Sequence, residues 1–233
     1  MTEAHYTRAT MGQAIGESMV FAIGLAVTTL PIVAIIFMAL VDREGPAAVA
    51  FVVGWIAGTA VGVTVFIVAS DLLGSGDGPT PTWVSVVKLV LGVGLLVLAV
   101  LEWRSRPAPG TTAPTPTWAG KVAALPPTRC AGLGAVIAVA NPKNLAMVLG
   151  GGLAIADARV GVAGEIVAGA VFVVVATLPA IVLVVAARML GERAGRALRA
   201  TSAWLQQHNA AVMAVLFLVI GVVLVVNGAG GLR

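Results

Sequence analysis

The chain has 233 residues, 59% of them hydrophobic and only 10% charged, with a mean hydropathy of +1.04. That excludes an ordinary soluble domain of mixed composition and describes a polytopic membrane protein. The net charge of +4 calls for no nucleic-acid partner, because the basic residues fall into two connecting loops. Cys130 stands alone among 233 residues, which excludes an internal disulfide and a two-thiol relay through the membrane.

Crossing a hydrocarbon layer of about 30 Å takes about 20 apolar residues per helix. Six such runs predict an all-α fold of six transmembrane helices, at Ser18 to Leu40, Ala48 to Leu73, Trp83 to Leu101, Arg129 to Ala156, Ile166 to Leu190 and Asn209 to Val226. The first lacks a basic leader and is too long for a cleaved signal, so it reads as retained. Arg104, Arg106, Lys121 and Arg129 lie between spans three and four, and Arg188, Arg193, Arg196 and Arg199 between five and six. The positive-inside rule makes both loops, 104–128 and 191–208, cytoplasmic and both termini external, in a plasma (inner) membrane. Asp42, Arg43 and Glu44, between spans one and two, add only weak support.

The Pro/Thr/Ala-rich stretch 104–128 has too little apolar periodicity to pack. It separates residues 1–103 from 129–233, three spans each, and an odd number per half requires related halves to lie antiparallel, as a 3+3 inverted repeat. A faint echo supports this. Pro31 in "TTLPIV" answers Pro142 in "VANPKN", "LLG" at 72–74 answers "MLG" at 189–191, and "LVLGVGLLVL" from Leu89 answers "LVIGVVLVV" from Leu218. Helices one and four are expected to be broken at these prolines.

"ANPKN", Ala140 to Asn144, places a lysine in the middle of span four, fourteen residues from Arg129 and fourteen from Asp157. With straight helical flanks each boundary is roughly 21 Å away, beyond the reach of a lysine stem. Lys143 should therefore face the bundle interior or a wet cavity near the midplane. Asn favours the N-cap and Pro the first helical position, so Asn141-Pro142 reads as a helix start. The unpaired N–H groups there, about half a positive charge, and Lys143 together point to an anion. Asn141 and Asn144 can orient a phosphate, sulfate or carboxylate. Thr28, Thr29 and Pro31 are the uncharged counterpart in span one. In the alternative, Pro142 is a simple kink and Lys143 pairs with a carbonyl or an acid to fix packing. Replacing Lys143 by Met is expected to spare folding and abolish anion recognition.

The stretch "AVIAVANPKNLAMVLGGGLAIA" and the later "GERAGRALRATSAWLQQHNAAVMAVLFLVIGVVLV" resemble the glycopeptidolipid- and sulfolipid-addressing family (GAP/SfLAP) of actinobacterial membrane proteins, grouped with the lysine-exporter (LysE) superfamily of six-span transporters. The resemblance covers Gly134 to Gly228, with "LPIVAIIFMAL" around Pro31 as its weaker trace in the first half. It implies a transporter of cell-envelope lipids, or a protein acting beside lipid-export machinery, and it carries over onto Pro31, Asn141, Pro142, Lys143 and Asn144.

Other features have plainer readings. Glu17 and Asp71, at span ends, are candidates for a release path or a coupling proton, or else mark the water boundary. Lys88 reads as a snorkelling anchor, with Trp83 and Trp103 as interfacial aromatics. Gly54, Gly58 and Gly62 form one helix face for close packing, within the chain or across a homodimer seam. Residues 191–209 form a basic, partly amphipathic segment suited to anionic headgroups. No metal site, cofactor or catalytic constellation is expected, so the chain is read as no enzyme. The expected activity is export of an anionic envelope lipid. The alternatives are LysE-like efflux of a small metabolite such as an amino acid, or a non-transporting scaffold.

Overall fold

The computed structural model describes residues 2–41, 46–74, 82–106, 122, 125–189 and 191–232, and every regular element among them is a helix. In chain order these are α1 (Thr2–Ala26), α2 (Thr29–Val41), α3 (Ala47–Gly74), α4 (Thr82–Arg104), α5 (Pro127–Ala140), α6 (Pro142–Asp157), α7 (Gly161–Met189) and α8 (Gly191–Gly230). Four segments are long and apolar enough to cross a membrane unaided: Ala47–Leu72, Thr82–Arg104, Gly161–Met189 and Gln207–Gly230. Two bent pairs, α1/α2 at 47° and α5/α6 at 69°, bring the number to six if each pair is one span. The chain is thus a multi-pass membrane protein, and each half runs broken pair, long helix, long helix.

The second break forms as the local sequence dictates. Asn141 is extended (φ −77, ψ 122) and its side chain accepts a hydrogen bond from the Lys143 N–H at 3.0 Å, while Pro142 opens α6. The first break lies at Val27 and Thr28, not at Pro31. Pro31 is the third residue of α2, where an N–H would have no intrahelical partner, so it is tolerated inside the first turn. Thr28 caps nothing in α2: its hydroxyl turns back to the Gly24 carbonyl at 3.5 Å.

Two boundaries differ from expectation. Helix α1 starts well before Ser18, and residues 191–208 are not a loop but the first half of the 40-residue helix α8. That stretch is rich in Ala, Arg, Leu and Gln and lacks proline, so nothing in it ends a helix. The side chains of His5, Arg193, Arg196 and Arg199 lie outside the described residues, as do residues 42–44 and most of 104–128.

The closest packing joins the two halves. A Cβ on Gly54 would lie 1.8 Å from the Ala131 carbonyl oxygen, and one on Gly58 2.5 Å from that of Ala135. Gly62 meets Val139 and Val148 in the same way. The glycine face of α3 is therefore filled by α5 and α6 within the chain. Helices α4 and α8 meet through reciprocal contacts: a Cβ on Gly92 would touch Val225, and one on Gly221 would touch Leu96. Gly92 and Gly221 are matching positions of the sequence echo, and such i-to-j, j-to-i contact is what a two-fold axis produces. Val90, Val93, Val97 and Leu101 leave an apolar face on the outside of α4, suited to lipid.

Gly54→Ala is expected to lower stability by about 1–3 kcal/mol, because the new methyl overlaps backbone that cannot move away. Gly94→Ala, where nothing lies within 4 Å, should leave stability unchanged or raise it. Thermal unfolding of the detergent-solubilised protein distinguishes the two.

Candidate functional site

The two breaks open onto one cavity. It has a volume of about 280 Å³ and is lined by Gly24, Thr28, Thr29, Leu30 and Val33 from α1 and α2, by Asn141, Lys143 and Met147 at the α5/α6 break, and by Asn209, Met213 and Phe217 of α8. Thr28, Thr29, Asn141 and Lys143, far apart in sequence, are thus brought together. Lys143 is the only charged residue among the described ones that line the cavity. Its side chain is 36% exposed, enough to meet a ligand, and its ammonium lies 6.0 Å from the centre of the Phe217 ring.

Lys143 is not left as a lone charge. Its ammonium pairs with the Glu102 carboxylate on α4, which is nearly buried and does not line the cavity. A buried ammonium without a partner is costly, and a carboxylate from a neighbouring helix is the least expensive remedy. The pairing with an acid foreseen in the packing alternative is therefore present, together with an open face toward the cavity. The same helices make a second pair, Lys88 with Asp157, so Lys88 is an ion-pair partner and not a free snorkelling anchor.

These two pairs fix the level of the break. Lys88 and Glu102 are fourteen residues apart on α4, and Lys143 and Asp157 are fourteen apart on α6. Both separations correspond to about 21 Å of helix, so α6 runs antiparallel to α4 with Lys143 level with Glu102. The estimate that put Lys143 midway required residues 129–157 to be straight, and the 69° bend removes that premise. The cavity lies nearer the Arg104 end of α4 than its centre.

Asn144 and the prolines play supporting parts. Asn144 is fully buried, and its amide nitrogen donates to the Ile137 carbonyl at 2.9 Å, tying the first turn of α6 to the last turn of α5. Its Oδ1 is buried without a protein partner, as is the Thr59 hydroxyl on α3. Pro142 opens α6 at the second break, Pro31 sits inside the first turn of α2, and neither lines the cavity. Asn209, to which the Thr29 hydroxyl donates, had been read only as the edge of the last span. The signal for it was an amide opening an unbroken apolar run.

Glu17 and Asp71 are elsewhere. Glu17 accepts from Gln13 at 2.9 Å and borders a separate recess of about 200 Å³ with Lys88, further along α6 and α8. Asp71 is exposed and lies beside Glu165 on α7, close enough for the two carboxyls to interact. Among the described residues no group of three or more His, Cys, Asp or Glu side chains converges as metal ligands do.

Two broken helices that turn polar groups and one lysine into a shared cavity define a multi-pass membrane protein with an internal polar site. The chain belongs to the family described as Sap, sulfolipid-1-addressing protein, which matches residues 19–230 and so takes in both halves. No curated protein and no solved structure matches it.

The ion pair can be weighed by a double-mutant cycle. Lys143→Met strands a buried carboxylate and should cost about 3–5 kcal/mol, contrary to the expectation that this change spares folding. Adding Glu102→Gln should recover most of the loss, read from denaturant unfolding in detergent.

Proposed function

We propose that the protein carries an anionic, sulfated or phosphorylated envelope lipid across the plasma membrane, with the headgroup held at Lys143 and the tails left in the bilayer. The observation that carries this reading is the cavity itself: a lysine, the capped start of α6 and the polar groups Thr28, Thr29, Asn141 and Asn209 line it together with the apolar side chains Met147, Met213 and Phe217. Such a site suits a small anionic group on an apolar body. A volume of about 280 Å³ accommodates a headgroup and not a whole glycolipid, so the tails must lie outside. The family's description as sulfolipid-addressing agrees with a sulfate ester as that group.

In the proposed mechanism the halves form a 3+3 inverted repeat, as the reciprocal α4–α8 contacts suggest. Loop 104–128 is cytoplasmic under the positive-inside rule, which puts the cavity toward the inner leaflet, where a newly made lipid is available. Rocking of one half against the other would expose the site to the far side. No nucleotide-binding motif is present in the sequence, so movement draws on a gradient, a partner or the lipid's own concentration.

A second reading, a non-transporting scaffold within lipid-export machinery, is favoured by one observation: Lys143 is satisfied by Glu102, as a purely structural lysine would be. The two readings separate in proteoliposomes carrying a fluorescent sulfated galactosylceramide in one leaflet. Transport predicts movement of the probe by the wild-type protein and its loss in Lys143→Met/Glu102→Gln, which keeps the fold but lacks the charge. Loss of a charge-assisted contact worth about 1.5–3 kcal/mol should weaken retention of that lipid about 10- to 100-fold in native mass spectrometry. Equal behaviour of the folded variant and the wild type would leave the scaffold.

A further inference from the structure

We propose that Glu102 is the proton-coupling group of this site: it takes up one proton when an anion enters the cavity and releases it when the anion leaves. This deepens the reading above and rests on Lys143 as the anion's contact.

The argument is one of charge balance. The empty site holds one positive and one negative group, the Lys143 ammonium and the Glu102 carboxylate, and is neutral. Among the described residues no other one lining the cavity carries a charge. An anion entering from the cavity side meets the exposed part of Lys143, while Glu102 holds the ammonium from behind, outside the cavity wall. Two negative groups would then share a single ammonium in apolar surroundings. A nearly buried carboxylate that loses its counter-charge neutralises by binding a proton instead of remaining ionised. The balance is simple: Glu102–COO⁻ takes H⁺ to become Glu102–COOH, the anion adds one negative charge, and the site is neutral again.

Among the described residues the other acids on helices packed against α6 lie elsewhere: Glu17 on α1 borders the recess with Lys88, Asp71 on α3 and Glu165 on α7 interact with each other, and α5 contributes only Arg129 and Cys130 as titratable groups. On α8, the segment Asn209–Gly230 that runs alongside α4 contains no titratable residue. On α6 the titratable groups are Lys143 and Asp157, and Asp157 is engaged by Lys88 at the far end of the helix. On α4 itself the remaining charged groups are Lys88 and Arg104, both cationic. Met147, Met213 and Phe217, the other near neighbours on the cavity wall, do not titrate. Among the described residues Glu102 is thus the one acid at the site, and its position behind the lysine lets it sense the anion without touching it.

The test uses the full-length protein in nanodiscs of phosphatidylcholine, titrated with the sulfated galactosylceramide, whose sulfate ester stays ionised throughout the range studied. For the wild type, affinity should rise by about tenfold for each unit the pH is lowered while Glu102 starts ionised, the slope of one coupled proton. Calorimetry in buffers of different ionisation enthalpy should register about one proton taken up per lipid bound. Glu102→Gln, which mimics the protonated acid, should bind as tightly as the wild type at its most acidic point and lose the pH slope. A purely packing role for Glu102 would alter stability but not remove a proton from the binding stoichiometry. Lipid binding that depends on Lys143 but takes up no proton in the wild type overturns the coupling and leaves the transporter reading in place. No binding by wild type or by a folded Glu102→Gln overturns both. The proton uptake needs no variant, so it decides the matter even if Glu102→Gln does not fold.

Discussion

A lysine ammonium set among apolar helices must find a negative partner, and most of what is distinctive in this protein follows from how Lys143 meets that demand. Glu102 supplies the charge from another helix, so α4 and α6 must lie side by side and antiparallel. The Lys88–Asp157 pair repeats the constraint at the other end, and the equal spacing of the two pairs leaves α6 little freedom to slide. Helix α4 is in turn locked to α8 through Gly92 and Gly221, where each backbone approaches the other too closely for a side chain. Asn209 and Phe217 therefore reach the cavity because α8 follows α4, and α4 follows the ion pairs. Buried ion pairs are weak contributors to net stability but strong determinants of register, which is the role both pairs fill here.

How much of this was legible in the sequence depended on the range of the interaction. The start of α6 was readable because capping is local: Asn141 bonds the N–H two residues on, and Pro142 needs only its own ring. The membrane-spanning class followed from composition, and the filling of the Gly54, Gly58 and Gly62 face from a four-residue spacing that has no use other than close approach. What was not legible was the partner. Glu102 lies 41 positions before Lys143 and looked like the polar end of a span, since nothing nearby in the chain distinguishes an acid at the water boundary from one turned inward. Asn209 escaped for the same reason. The depth of Lys143 was misjudged because counting residues assumes a straight axis, and the break that made the lysine interesting is also what bends it. The first break was placed three residues late because proline marks a helix start only loosely: any of the first turn's positions can accept it.

The two breaks are unlike in electrical character, and they are unlike mechanically as well. At the second, Asn141 caps the new helix, Pro142 fixes its own φ, and Asn144 reaches back to the Ile137 carbonyl across the bend. Three independent constraints converge on one extended residue, so the 69° angle is held stiffly and the lysine is presented in one place. At the first, the Thr28 hydroxyl bonds backward into α1, to the Gly24 carbonyl. What holds α2 at the cavity is contact between helices: the bond from Thr29 to Asn209 on α8, and the packing of Ile32, Ile36 and Ala39 against Ala187 and Leu183 of α7. A site built this way has one break held by local bonds within its own segment and another placed by contacts between helices. The ion pair that sets the register of the bundle thus sits at the stiffly held break, so the charge is positioned by the same local bonds that start α6.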